Sequence, residues 1–323
     1  MPFPFANSCE PQAAECFVLT LIGTPLRGEV LQALAETLDA EGWTRVEARW
    51  LSLPGAVRGC TEWRLAGDMA KAQALCAYLR DRADDLSLDF ALQPDDLLRA
   101  HRRLVVFDMD STLIEAEVID ELARAAGSWE RVSAITERAM RGELDFAASF
   151  RERLATLRGL SADCLPEVFT RLPLSPGAAT LVATLNAAGY HTAIVSGGFD
   201  VFARRLAAML GIHEVFANTL EIVDGALTGA VSGRIIDGQR KADLLQEIAQ
   251  HRSLSREQVV AVGDGANDLP MLGVAGLGVA YHAKPVVREA AAQAITHSGL
   301  DSVLFLLGIP ERHWQMPAAG SDL

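Results

Sequence analysis

Two aspartates two residues apart, Asp108 and Asp110, follow directly on the apolar run Leu104-Val105-Val106-Phe107. Alternate residues of an extended chain share a face, so both carboxylates project to one side. Ser111 and Thr112 add hydroxyls beside them. Such a pair at the end of a buried strand can be catalytic. Taken alone, it equally serves as a turn or helix cap. Further along, Ile194-Val195-Ser196-Gly197-Gly198 sets a hydroxyl before two glycines, whose backbone N–H groups can approach a phosphate closely; an ordinary strand-to-helix turn looks the same. Lys241 stands just before a helical run and is a compact charge for a phosphoryl oxygen, or one more surface lysine. Val262-Gly263-Asp264-Gly265-Ala266-Asn267-Asp268 gathers two carboxylates and an amide on a glycine-permitted turn, oxygen ligands of the kind hard divalent cations take.

These residues need a scaffold that brings them together. Residues 104–107, 192–195, 259–262 and 277–280 are short apolar runs separated by helical segments such as 178–188 and 242–250. Alternating buried strands and helices predict an α/β fold with a parallel sheet covered on both faces. Ligands bind beyond the carboxyl ends of such strands, where the polar motifs fall. An insertion over about residues 115–174 carries helical periodicity (Val118, Leu122, Ala125; Val132, Ile135, Ala139; Phe146, Phe150, Leu154, Leu157) and is long enough to be a cap.

Upstream, the pattern predicts strands at 16–22, 43–53, 61–65 and 86–92, with helices carrying Val30, Leu31, Leu34 and Leu38, then Leu75, Leu79 and Ala83. The order β-α-β-β-α-β is that of a ferredoxin-like module. The expected layout is a loose start (1–15), this module (16–95), a catalytic domain (102–312) holding the cap, and a flexible tail (313–323). In 323 residues two domains fit comfortably, and half the residues are hydrophobic, enough for a large core. A formal charge of −13 opposes general binding to nucleic acids or anionic membranes. Five scattered cysteines without a CxxC pair, no basic-then-apolar leader and no long uncharged apolar run point to a soluble cytoplasmic protein.

Together, and in this order, DxDST, SGG, Lys and GDGxND resemble the haloacid dehalogenase (HAD) superfamily over roughly residues 104–280. The resemblance implies a Rossmann-like parallel sheet with a helical cap, and a covalent phosphatase mechanism. Asp108 would be the nucleophile and Asp110 the general acid and base. Ser196, Gly197 and Lys241 would hold the phosphoryl oxygens. Mg2+ would be held by Asp108, the backbone carbonyl of Asp110, and Asp264, with Asn267 and Asp268 orienting the surroundings. With an ordinary aspartate pKa near 3.9, Asp108 needs no activation, whereas Asp110 must be protonated when the alkoxide leaves.

Within the insertion, Leu113-Ile114-Glu115-Ala116-Glu117-Val118-Ile119-Asp120-Glu121 and Phe146-Ala147-Ala148-Ser149-Phe150-Arg151-Glu152-Arg153 resemble the cap of the phosphoserine phosphatase family. That resemblance implies that Glu117 pairs with the substrate ammonium and Arg153 with its carboxylate, and puts Asn267 among the substrate contacts. The alternative for the two cap residues is a solvated helix face; Met140 and Phe146 are pocket walls or simply core. The expected reaction is hydrolysis of O-phospho-L-serine, the last step of L-serine biosynthesis. The competing readings are a broader phosphatase or a phosphotransferase to an alcohol such as homoserine, and a non-catalytic amino-acid sensor, which the fully occupied catalytic positions oppose. The N-terminal module resembles an ACT domain through its element order and the turn Gly23-Thr24-Pro25-Leu26-Arg27-Gly28. This implies either amino-acid binding, serine being the candidate, or packing into a homodimer.

Overall fold

The computed structural model describes residues 15–316. The expected loose start, Glu15 excepted, and residues 317–323 of the expected tail lie outside the described residues. The chain divides into two compact units, Met1–Ala100 with Phe305–Arg312, and His101–Leu304 with His313–Leu323.

The first unit contains β1 (Glu15–Gly23), α1 (Gly28–Ala40), β2 (Thr44–Trp50), β3 (Gly59–Gly67), α2 (Met69–Leu86), β4 (Leu88–Pro94) and α3 (Leu97–Ala100). Its strands run in the order β2-β3-β1-β4, with every adjacent pair antiparallel. Phe17, Leu19 and Leu21, alternate residues of β1, join Leu34 and Leu38 of α1 and Leu75 and Leu79 of α2 in one core, as the two periodicities require. All seven residues of β2, which forms the edge of the sheet, are exposed. The segment Phe305–Arg312, expected to close the catalytic domain, groups with this unit instead. Gln93 Nε2 donates to the Leu306 carbonyl (2.9 Å), and the Leu53 N–H donates to Glu311 Oε2 (2.6 Å).

The second unit runs through β5 (Leu104–Phe107), α4 (Val118–Ala125), α5 (Trp129–Met140), α6 (Phe146–Ala155), α7 (Leu165–Thr170), α8 (Ala178–Ala187), β6 (His191–Phe199), α9 (Asp200–Leu210), β7 (Glu214–Val223), β8 (Ala226–Ser232), α10 (Gly238–His251), β9 (Val259–Gly263), α11 (Leu269–Val274), β10 (Leu277–Tyr281), α12 (Pro285–Ala290), β11 (Gln293–Ile295) and the first two residues of α13 (Val303–Leu306), whose last two fall to the first unit. Its strand order is β11-β10-β9-β5-β6-β7-β8. All neighbours are parallel except the hairpin β7-β8. Val106, Val195, Ala261 and Val259 pack against Leu244, Leu245 and Ile248 of α10, a strand-on-helix core that accounts for the uninterrupted apolar runs.

Helices α4 to α7 lie within the expected insertion. The β7-β8 hairpin, not foreseen, buttresses this cap: Leu227 exchanges backbone hydrogen bonds with Gly159 and Leu160, each 2.8 Å. At the start of the expected tail, the Gln315 N–H donates to Thr184 Oγ1 at 2.8 Å. Among the described residues, no helix is long and apolar enough to cross a membrane.

Candidate active site

Register sets the site. Phe107, the last residue of β5, pairs with Ile194 of β6 on one side and Val262 of β9 on the other. The residues that follow, Asp108, Ser196 and Asp264, therefore emerge at nearly one height on three adjacent strands. The Asp108 N–H donates to the Val262 carbonyl (2.9 Å), extending the ladder by one residue and fixing the backbone of the buried aspartate.

Asp108 is held from two sides. Its Oδ1 accepts the Met109 N–H at 2.7 Å, and its Oδ2 lies 2.7 Å from Lys241 Nζ. Lys241, fully buried in the first turns of α10, also donates to Asp268 Oδ1 at 2.7 Å. Burial alone would lower the lysine pKa, but the fields of Asp108 and Asp268 more than reverse this and keep the ammonium charged. Asp268 Oδ2 accepts from the N–H groups of Asp264 and Gly265 at 3.2 and 3.0 Å. Both oxygens of Asp268 are thus occupied in shaping the turn and gripping the lysine.

Asp110 is half-buried, with Oδ1 accepting the Val118 N–H at 3.3 Å. Burial, then Glu117, then Asp108 push its pKa well above the ordinary carboxylate range. Ser111 adopts φ 55°, a left-handed conformation uncommon outside glycine, and its hydroxyl donates to Glu117 Oε1 at 2.8 Å. This turn carries the chain from the Asp108–Asp110 segment into the cap. Glu117 keeps contact with water through the cavity although protein atoms crowd around it. That crowding raises its pKa, against the Ser111 hydrogen bond and the charge of Arg153.

The facing wall comes from α6, started by Asp145, whose carboxylate accepts the Ala148 N–H at 2.7 Å. Phe146, Phe150 and Arg153 recur at four and three residues and share one face of the helix. The two rings stack with centroids 6.1 Å apart, and Phe150 meets Phe199 at 5.9 Å. The Arg153 Nε is buried with no hydrogen-bond partner. A buried guanidinium donor without an acceptor is costly, and an acceptor brought by a ligand relieves that cost.

A cavity of about 180 Å³ lies between these walls. Asp108, Asp110, Ser196, Gly197, Asp264 and Asn267 line it from the sheet, Glu117, Phe146 and Arg153 from the insertion. Of the residues singled out from sequence, Lys241 and Asp268 lie beneath this lining. Phe146 is a wall, as one of its two expectations had it; Met140 is two-thirds exposed and outside the lining. Ile119, Phe150, Gly198 and Phe199 were not anticipated as walls. Their apolar character at helical or strand spacing is the signal of a core residue, and nothing local separates the two.

The donors fit a divalent cation. Asp108, Asp264 and Asp268 each offer a carboxylate oxygen, all within 4.8 Å of one another. Burial and mutual repulsion raise Asp108 to about 7 and Asp264 to about 8 against the opposing charge of Lys241, and a cation bound between these acids would favour their ionised forms. Asp268 accepts three bonds, from Lys241 and from the N–H groups of Asp264 and Gly265, against two at Asp108 and one, from Thr112, at Asp264, which leaves Asp108 and Asp264 the freer ligands.

Comparison with known proteins agrees with this geometry. Residues 105–273 match the family model of haloacid dehalogenase-like hydrolases. The chain is 49% identical over 311 residues to phosphoserine phosphatase SerB2 of Mycobacterium tuberculosis, covering 96% of this chain and 75% of that one. Among solved structures it resembles a HAD family hydrolase from Salmonella enterica serovar Typhi (TM-score 0.80, 34% identity, 90% of this chain and 98% of that one). It also resembles a phospho-aspartyl intermediate analogue of phosphoserine phosphatase (TM-score 0.60, 40% identity, 63% and 98%).

Proposed function

The chain belongs to the haloacid dehalogenase-like hydrolases, and within them to the phosphoserine phosphatase family; on that footing we propose that it hydrolyses O-phospho-L-serine to L-serine and phosphate. One observation carries the reading. One small cavity is lined by Asp108, Asp110 and the Ser196-Gly197 turn together with Glu117 and Arg153, the arginine with its Nε lacking a hydrogen-bond partner. Phosphoserine carries a phosphate, an ammonium and a carboxylate, so each group meets a complementary partner.

We assign the steps as follows. An Asp108 carboxylate oxygen attacks phosphorus while the bond from phosphorus to the serine oxygen breaks. Asp110, kept protonated by its surroundings, gives its proton to the departing alkoxide. An aspartyl-phosphate on Asp108 results. Asp110, now ionised, takes a proton from water as that water attacks phosphorus; the bond from phosphorus to Asp108 breaks, and phosphate and the starting carboxylate are regenerated. Ser196 and the Gly197 N–H bind the transferring oxygens. Lys241 balances the charge of Asp108 and Asp268. Asp108, Asp264 and the Asp110 carbonyl would hold a divalent cation, Mg2+ in our assignment, which when bound supplies positive charge between nucleophile and phosphate. Asn267, on the lining, orients the phosphoryl group.

We further assign the protein to the cytoplasm and the first unit to ACT-like homodimer formation or serine sensing, supported by its antiparallel β2-β3-β1-β4 sheet. Deleting that unit and finding oligomer size and serine inhibition unchanged would remove the latter. The activity is tested by phosphate release from phosphoserine, phosphothreonine and sugar phosphates, with and without Mg2+. Phosphoserine is expected to lead by at least tenfold, on the scale of about a charge-assisted pair or more; equal release from sugar phosphates would refute the substrate.

A further inference from the structure

Asn218 is a polar residue following Val215-Phe216-Ala217 in β7, and it is 3% exposed. Both polar atoms of its side chain are bonded. Nδ2 donates to the Gly197 carbonyl at 2.8 Å, and Oδ1 accepts the Ile236 N–H at 2.9 Å. The first bond has a topological cause. The β6-β7 ladder pairs Val195 with Phe216 and resumes at Phe199 with Asn218, so four steps on β6 span two on β7. Residues 196–198 bulge out of the ladder towards the cavity. The bulge takes Gly197 out of the regular β6-β7 pairing, and the Asn218 side chain bonds its carbonyl there.

We infer that Asn218 is a positioning residue for phosphoryl binding, acting through the peptide between Gly197 and Gly198. Holding the Gly197 carbonyl fixes the plane of that peptide, whose N–H, on Gly198, donates to Ser196 Oγ at 2.9 Å. A hydroxyl oxygen that already accepts this bond has its own proton left for an anion in the cavity. On the other side, Ile236 immediately precedes Asp237, whose carboxylate caps α10 by accepting the Arg240 N–H at 2.8 Å. Helix α10 carries Lys241, so one buried amide ties the phosphate turn to the start of the lysine helix. The role rests on the phosphatase reading above and adds a residue outside the motifs that define it.

The test uses the full chain with Asn218→Ala, which removes both bonds, and Asn218→Asp, which keeps the acceptor for Ile236 but turns a carboxylate oxygen towards the Gly197 carbonyl. Three readouts are compared: kcat and KM for phosphoserine, inhibition by inorganic phosphate, and inhibition by L-serine. Both variants are expected to lose about 100-fold in kcat, the scale of a displaced reacting group. Inhibition by inorganic phosphate should weaken about tenfold or more, that by L-serine less than twofold. A merely structural role would weaken both inhibitors together, and that outcome, or no change in either, overturns the inference. If wild-type protein does not hydrolyse phosphoserine, the substrate assignment fails by itself; p-nitrophenyl phosphate and inorganic phosphate still test Asn218. Should either variant fail to fold, the Asn218 side-chain amide signals of wild-type protein are followed by NMR as inorganic phosphate is added. They are expected to shift with the Gly198 amide; signals unmoved at saturation overturn the inference.

Discussion

Asp110 and Gly198 meet so closely that a Cβ on the glycine would stand 2.5 Å from Asp110 Oδ2. The same atom would lie 2.8 Å from Met109 Cε and 3.1 Å from Ser196 Oγ. The second glycine of the SGG turn is therefore a seat for Asp110, and its small size is what lets Asp110 and the Ser196-Gly197 turn approach each other. Gly198→Ala should lower kcat about 100-fold through displacement of Asp110, with circular dichroism unchanged. Full activity would mean that Asp110 is not the proton donor from this position.

The acid role makes its own prediction. Asp110→Asn keeps the shape and removes the proton, so turnover of phosphoserine should fall about 10²- to 10⁴-fold. A phosphate ester with a good leaving group, such as p-nitrophenyl phosphate, needs less protonation and should lose clearly less. Asp108→Asn, by contrast, should abolish turnover of both. Equal losses of the two substrates in Asp110→Asn would place that residue elsewhere in the mechanism.

Arg153 offers a test from the cap side of the cavity. With Nε buried and unpartnered, its guanidinium is prepared for a carboxylate, and the fork geometry allows two bonds. Arg153→Ala should reduce kcat/KM for phosphoserine about 100-fold, roughly the loss of one buried charged pair. Phosphoethanolamine, which lacks the carboxylate, should change by only a few fold. Parallel losses on both would mean that the arginine supports the cap and does not touch substrate.

Much of the site was legible because it follows strands whose apolar runs declare themselves, and because Phe107 sits in register with both Ile194 and Val262. The cap was legible as helical periodicity. What stayed hidden depends on partners distant in the chain. Lys241 reads as a generic phosphate lysine until Asp268, 27 residues later, is seen to bind it. Asn218 reads as a stray polar residue because its partners, Gly197 on β6 and Ile236 in the loop before α10, are distant in the chain. The β7-β8 hairpin was missed although Asp224-Gly225 marks its turn, since its half-exposed strands lack a sustained apolar run. Likewise, Phe305–Arg312 follows the catalytic unit in sequence, and only bonds such as that from Leu53 to Glu311 reveal where it packs.

Repulsion among Asp108, Asp264 and Asp268 predicts how pH and cation act on stability. Without a cation, Asp108 titrates near 7 and Asp264 near 8, against an ordinary value of 3.8. Both values are raised, so between about pH 4 and 8 the folded chain binds more protons than the unfolded one. Their contribution is then fully present below pH 4 and is lost as pH rises through 7 and 8. Asp264→Asn removes one of the crowded acids, so in EDTA it should raise Tm, by about 2–4 °C per kcal/mol relieved, and by more at pH 8 than at pH 5.5. A cation competes with these protons, so Mg2+ should raise the Tm of the unmutated protein more at pH 8 than at pH 5.5. The same variant should lose that Mg2+ response along with activity. Differential scanning fluorimetry at the two pH values decides it: a Tm difference and a Mg2+ response that are both independent of pH would show that the carboxylates are already ionised without the cation.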